Sequence, residues 1–303
     1  ALALLALLGT QLSDGKFPVL SALYDWIPSA ISPFWRPTGL GPNSVAGGLA
    51  MLLPITAGFA LGARSLWSRI FCTLVSLFAG SALVLTQSRG ALFGLGLAVL
   101  VILVLCNRWF LLAIPAAIVA GTVAIWALGV EWLSGLMLSS TATSAVASFE
   151  GRLEIWARAI YMVQDFPITG VGLGMFDHVL DLLYPMQMVT LETNIYHPHN
   201  VFLFQAVSSG LPGLVALLAL LLLLAVMALQ SARQAQRGGM RPLAIGLAGA
   251  LAAYLGHGLF DSPTSFIRAS AILWTLFGLQ AALWLYLREQ GPSTVQQPGS
   301  PRG

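Results

Sequence analysis

Charge is what this chain has least of. Only 8% of its 303 residues are Asp, Glu, Lys or Arg, against about 25% in an ordinary soluble domain. At 57% hydrophobic, it also carries several apolar windows longer than the roughly 18 to 20 residues that cross a bilayer. Composition alone makes it a polytopic membrane protein. A concentrated positive charge is missing too: the net +3 is small and scattered, and no basic stripe with interleaved aromatics marks a nucleic-acid partner. Cysteine is scarce. Cys72 and Cys106 lie far apart, in or beside apolar segments; that spacing suits neither a disulfide framework nor a metal site, and both read as packing residues. No basic segment precedes the opening ALALLALL, so it lacks the form of a signal peptide. It is too short to span, and reads as the tail of a spanning helix that begins upstream.

What the chain does have is seven apolar segments, at about 44–62, 70–87, 91–106, 110–130, 201–229, 243–259 and 267–287. Residues 131–200 form the one long polar stretch, and 9–43 a shorter one rich in Pro, Trp and Ser. The positive-inside rule orients them. With the large loop outside, Arg64, Arg69, Arg108, Arg233, Arg237, Arg241 and Arg288 fall inside, and of the acidic residues only Glu289 joins them. Arg89, Arg152 and Arg158 then stand on the side the rule disfavours, near helix ends. Such arginines are costly, up to roughly 2.5–3.5 kcal/mol at mid-bilayer, and call for an anionic partner. The 201–229 segment would be about 43 Å long as a helix, against a hydrocarbon core of roughly 30 Å. SSGLPG (208–213) predicts a kink, because Pro212 lacks a donor and crowds the carbonyl of Ser208. Residues 214–229 then do most of the spanning, and 199–210 stay near the outer face.

Polar chemistry gathers at a few thresholds. In TQSRGALFGLG (86–96), Arg89 stands at the outer junction of two spanning segments, followed by small residues that permit close packing; it reads equally as an arginine snorkelling to headgroups. Ile155, Trp156, Ala159, Ile160 and Val163 recur at helical spacing, so 151–165 is predicted to be an amphipathic helix ending before Pro167. Arg152 and Trp156 share a face as an i, i+4 pair, while Trp156 and Arg158 also suit a helix that simply grips lipid. The following GVGLG has no strand before it and is not a dinucleotide loop. At YHPHN (196–200), two histidines at i, i+2 lack further ligands at metal-binding spacing. Asn200 suits the first turn of the next helix. A histidine at a helix N-terminus is disfavoured as a cation and stays able to accept a proton, although plain capping explains the position as well. GHGLFDSP (256–263) sets His257 and Asp261 at i, i+4 at an outer helix end.

These motifs, in this order, resemble the O-antigen ligase and polymerase superfamily. The resemblance rests on RPTGLGPNSVAG (36–47), TQSRGALFG (86–94), GRLEIWARA with DFPITGVGLGMF (151–176), HPHNVFLFQAVSSGLPGL (197–214) and HGLFD (257–261). It covers nearly everything from residue 36 onward. It implies an all-α, GT-C-like polytopic transmembrane bundle, one membrane domain over 1–303 with an external loop at about 131–200. The family usually has further spanning helices before the equivalent of residue 36, so the domain is expected to be N-terminally incomplete. The implied activity is metal-independent, inverting transfer of a glycan from an undecaprenyl diphosphate carrier to a lipid or glycan acceptor hydroxyl, with no cofactor. By the same resemblance Arg89 and Arg152 match diphosphate-binding arginines and His199 the essential histidine. Asp261, Asn200, His197 and Arg158 follow as possible support. The chemistry agrees: planar arginines neutralise a departing diphosphate, and a neutral histidine takes the acceptor's proton.

The motifs do not separate a ligase acting on lipid A core from a glycan polymerase or a protein O-oligosaccharyltransferase. An anion transporter is the reading from another class, but internal repeats and matched broken helices are lacking.

Overall fold

The computed structural model describes residues 41–128, 149–187, 195–235, 239–262 and 267–290. The ALALLALL stretch, the Pro-, Trp- and Ser-rich residues up to 40, Arg237 and much of the long polar loop (129–148 and 188–194) lie outside the described residues.

Among the described residues all regular structure is helical. The chain forms α1 (Pro42–Gly62), α2 (Leu66–Leu85) and α3 (Arg89–Cys106), then a 3-10 turn (Arg108–Leu112) into α4 (Ala113–Leu128). The polar loop contributes α5 (Phe149–Asp165) and α6 (Phe176–Leu183), and α7 (Val201–Gln234), α8 (Arg241–Gly258) and α9 (Ile267–Glu289) complete the bundle. Each of the seven expected apolar segments is one of these helices, and α5 begins and ends as its periodicity predicts. Among the described residues six helical stretches are long and apolar enough to cross a membrane. The protein is a multi-pass, all-α helical bundle.

The helix that organises the bundle, α8, is not among those six. Its sequence, RPLAIGLAGALAAYLGHG, is made largely of small residues that are buried along nearly its whole length. Small side chains let backbones approach where apolar burial gives helices no advantage over lipid. A Cβ on Gly256 would come within 2.7 Å of Gly94 Cα, and one on Gly246 within 2.7 Å of Ile55 Cα. Helices α3 and α1 therefore cross α8 almost in backbone contact. The α3 crossing brings the N-terminus of α3, where Arg89 stands, beside the C-terminal end of α8 and the residues that follow it. At the far end, Gly239 in the α7–α8 turn lies by Arg64 in the α1–α2 turn. The arginine-bearing turns thus share the end opposite Arg89.

The long α7 is broken as its sequence predicts, and the break occurs at Gly210, with φ 68° and ψ −175°. Only glycine adopts that conformation readily. A break in a spanning helix frees backbone groups that cannot be left unpaired in an apolar medium. The loop after α5 takes them up. Leu211 N–H donates to Pro167 O (2.7 Å), while Val207 O and Ser208 O accept from Val171 N–H (2.8 Å) and Gly172 N–H (3.2 Å). Ser208 O is the carbonyl that Pro212, lacking an N–H, leaves without its helical partner. Gly170, at φ 66°, faces Gly210 across this exchange, and a Cβ on it would lie 2.5 Å from Val207 O. The glycines of DFPITGVGLG and SSGLPG form one main-chain clasp.

Gly170→Ala and Gly210→Ala should therefore each destabilise the fold by about 2 kcal/mol or more. Gly96→Ala, in mid-α3 where a Cβ meets nothing within 4 Å, should be neutral or stabilising by up to about 1 kcal/mol. Thermal unfolding in detergent, followed by circular dichroism, distinguishes the two classes.

Candidate active site

Three chain segments meet at the end of the bundle where α3 begins. The first is α5, whose Arg152 Nη1 donates to Phe260 O at 2.7 Å and whose Trp156 Nε1 donates to Pro198 O at 2.8 Å. The i, i+4 face expected from the sequence is thus turned into the protein. The second is the HPHN turn. Asn200 caps α7 through Oδ1, which accepts from Phe202 N–H and Leu203 N–H (2.9 and 3.0 Å), and its Nδ2 donates to Leu259 O at 3.1 Å. The third is the turn after α8, where Phe260 and Asp261 fold back through bonds from both N–H groups to His257 O.

At their junction His199 Nδ1 lies 3.3 Å from Asp261 Oδ1. His199 N–H donates to His197 Nδ1 (3.2 Å), and the two imidazole rings meet edge to face at 4.4 Å. Asp261 Oδ1 also accepts from Ser262 N–H at 2.8 Å. His199 is held in the left-handed region, φ 50°. The other described non-glycine residue there is Gln87 (φ 51°), fully buried two positions before Arg89. Strain of this kind persists only where surroundings over-determine it, and it gathers at functional sites.

The electrostatics follow from burial and crowding. Burial lowers the Arg152 guanidinium's pKa; the Asp261 carboxylate opposes this, and the charge of Arg89 lowers it further. Arg89 is therefore close enough to act on Arg152. Burial pushes His197 down to about 4, with the charges of His199 and Arg152 adding to the effect and Asp261 opposing it. For Asp261, burial acts upward, but the hydrogen bond and charge of His199 and the neighbouring imidazoles outweigh it and hold the carboxyl well below its ordinary range.

The structure gathers Arg152, His199, Asp261, His197 and Asn200, with Arg89 near enough for its charge to be felt. It does not bring in Arg158, whose Nη2 pairs with Glu154 at 3.7 Å one turn along α5. Sequence reading undervalued His257, which is buried against Gly90 and Phe260; its i, i+4 relation to Asp261 was the available signal. Gln87 was missed, because nothing in a lone glutamine foretells a positive φ. Ligand atoms of His197, His199 and Asp261 lie within 4.8 Å of one another, near enough to hold a metal ion. Both Nδ1 atoms are engaged in the hydrogen bonds above, and two guanidiniums stand by; neither favours a cation.

A pH prediction follows from His197. The unfolded chain binds a proton on this residue near its ordinary 6.5, and the folded chain refuses it until about 4. Stability fully present above the upper value is lost as pH falls through that window. Asp261 adds its own loss only below the ordinary carboxylate value of 3.8. The thermal midpoint should fall between pH 6.5 and 4 in the wild type and fall less in His197→Gln. An identical slope in both would show that His197 is not held neutral.

Residues 74–218 match the family profile described as O-antigen ligase. No curated protein sequence matches the chain. The matched span opens in α2, takes in Arg89, the Arg152 helix and the HPHN turn, and closes just past the clasp in α7, so it holds every described element of the site except the turn bearing Asp261. Over that span the chain is similar to the O-antigen ligase family.

Proposed function

We propose that this protein is a membrane glycosyltransferase that moves a glycan from an undecaprenyl diphosphate carrier to an acceptor hydroxyl in cell-surface polysaccharide assembly. The observation that carries the reading is the His199–Asp261 contact beside two mutually repelling arginines. In this reading the site faces the cell exterior, since the arginine-bearing turns Arg64 and Gly239 share the opposite end.

The chemistry assigns each group a task. Arg89 and Arg152 bind the diphosphate, whose negative charge grows as the bond to the anomeric carbon breaks; planar guanidiniums meet it without reorganising. The tautomer that donates Nδ1–H to Asp261 leaves the Nε2 lone pair of His199 available. That nitrogen takes the acceptor hydroxyl's proton as its oxygen attacks the anomeric carbon from the face opposite the diphosphate. One C–O bond forms, one breaks, the configuration inverts, and undecaprenyl diphosphate leaves as the anion held by the arginines. Asp261 fixes the imidazole and stabilises its cation, the task of the third member in a nucleophile–base–carboxylate arrangement. His197, neutral and bonded to the His199 amide, keeps a second cation away from the base. No step calls for a metal.

In proteoliposomes supplied with undecaprenyl diphosphate glycan and acceptor, His199→Ala should lower turnover by about 10²- to 10⁴-fold. Arg152→Ala should cost on the order of 10²- to 10³-fold, with Arg152→Lys failing to restore it because lysine cannot reproduce the bidentate fork. Normal transfer by either alanine variant, at equal levels of folded protein, would overturn the assignment.

Chelation supplies an independent check. Transfer should be unchanged by EDTA, whereas loss on chelation and recovery with a divalent ion would make His197, His199 and Asp261 a metal site instead.

A further inference from the structure

The segment that follows α5 carries an apolar surface that the site does not use. From Phe166 to Phe176 it reads FPITGVGLGMF, without a charge. Ile168 is 69% exposed, Leu173 79%, and Leu182 and Leu183, at the end of α6, 79% and 60%. Phe176 and Leu180 of α6 are buried against α5 and α7. On a helical wheel Leu182 and Leu183 stand to one side of that seam, and Asp177 and Asp181 to the other. The segment is held at both ends: the clasp fixes Pro167–Gly172 to α7, and the Tyr184 hydroxyl bonds to the Asp165 carboxylate.

The clasp also fixes depth. Beyond the break, Leu211–Gln234 runs about 36 Å for a hydrocarbon core of about 30 Å, with Arg233 near its far end. Leu211 therefore lies close to the boundary of the hydrocarbon on the site's side. Leu211, Val215, Leu218 and Leu222 are exposed at helical spacing on α7, a lipid-facing stripe by composition. Ile168 adjoins the upper end of this stripe, because Pro167 O bonds to Leu211 N–H. The exposed side chains after α5 thus continue a lipid-contacting surface.

We propose that Phe166–Leu183 is an interfacial foot that inserts its apolar side chains into the leaflet on the site's side of the membrane, with the acidic face of α6 turned to water. The ligand is the lipid surface itself. An amphipathic element of this kind sits about 5–10 Å into the headgroup–acyl boundary. Exposed apolar clusters of this extent on a folded protein mark such contacts. Because α5 precedes the foot directly, anchoring it holds Arg152 at headgroup depth; that consequence, unlike the foot, rests on the proposed diphosphate substrate.

The test needs no transfer activity. The full chain carrying Cys72→Ser and Cys106→Ser receives single cysteines by Leu173→Cys, Leu182→Cys or Asp181→Cys. Each is labelled with an environment-sensitive nitrobenzoxadiazole dye and reconstituted in phosphatidylcholine–phosphatidylglycerol vesicles. At positions 173 and 182 the emission should shift to the blue, be quenched by lipids brominated on the acyl chains and be spared by aqueous iodide. At 181 iodide should quench and brominated lipid should not. Iodide quenching at 173 and 182 equal to that at 181 overturns the proposal. So does protection from both quenchers, which would mean that another part of the protein covers this face.

Discussion

The need to pair every backbone polar group in an apolar medium is the constraint from which the arrangement of this molecule follows. Helix α7 is interrupted at Gly210, and an interruption at that depth is tolerable only if something supplies the missing partners. The loop after α5 does so through three main-chain bonds. Side-chain contacts along a membrane surface allow sliding; a reciprocal set of N–H to carbonyl bonds between two glycine-bearing strands of chain does not. The polar loop is thereby registered to the bundle. Since α5 runs into that loop and α7 begins nine residues before its break, the same clasp fixes Arg152 against the HPHN turn.

Packing supplies the second registration. The α3–α8 crossing at Gly94 and Gly256 sets the start of one helix against the end of the other, so Arg89 and the Phe260–Asp261 turn are neighbours by geometry. Two independent devices, a backbone clasp and a small-residue crossing, converge on one spot. Arg152 bridges them by donating to Phe260 O, and His199 does so by meeting Asp261. Residues separated by 62 and 108 positions are joined by direct hydrogen bonds.

Much of this was legible in the sequence, for reasons that differ by element. The spanning helices announce themselves because lipid rewards an unbroken apolar run. The α5 boundaries were readable because a 3.6-residue period ends at a proline. The break in α7 was foreseen from Pro212, yet the residue that bends is Gly210, and the loop that repairs it was invisible: GVGLG reads as punctuation until its partner is known. Helix α8 shows the limit of hydropathy, since a helix buried among other helices needs small side chains more than greasy ones. In the site, Arg152, His199 and Asn200 stood out because polar residues at membrane thresholds are costly. His257 and Gln87 did not, because their significance lies in burial and backbone conformation, which only the fold supplies. Arg158, whose charge stood out as misplaced, pairs with Glu154 one turn away, a partner on its own helix.

The charge balance of the site gives the functional reading its physical content. The Arg152 guanidinium and a cluster of imidazoles surround the buried carboxylate of Asp261, and Arg89 lies close enough for its charge to act on Arg152. Burial lowers Arg152, the Asp261 carboxylate offsets this only in part and Arg89 lowers it further, so the fold holds these cations near each other at a cost. An arrangement that only stabilised the structure would spread these charges or add acids; α6 and α5 carry acids close by, but on faces turned elsewhere. A concentrated, partly desolvated positive site is relaxed by an anion of matching charge, and a diphosphate offers more than one negative charge with several acceptor oxygens. In the proposed reaction the neutral His197 and the carboxylate-oriented His199 stand where a proton is accepted, while the arginines stand where charge departs. Separation of those two tasks between guanidinium and imidazole is what glycosyl transfer from a lipid diphosphate demands, and an anion channel, which must release what it binds unchanged, has no use for the oriented base.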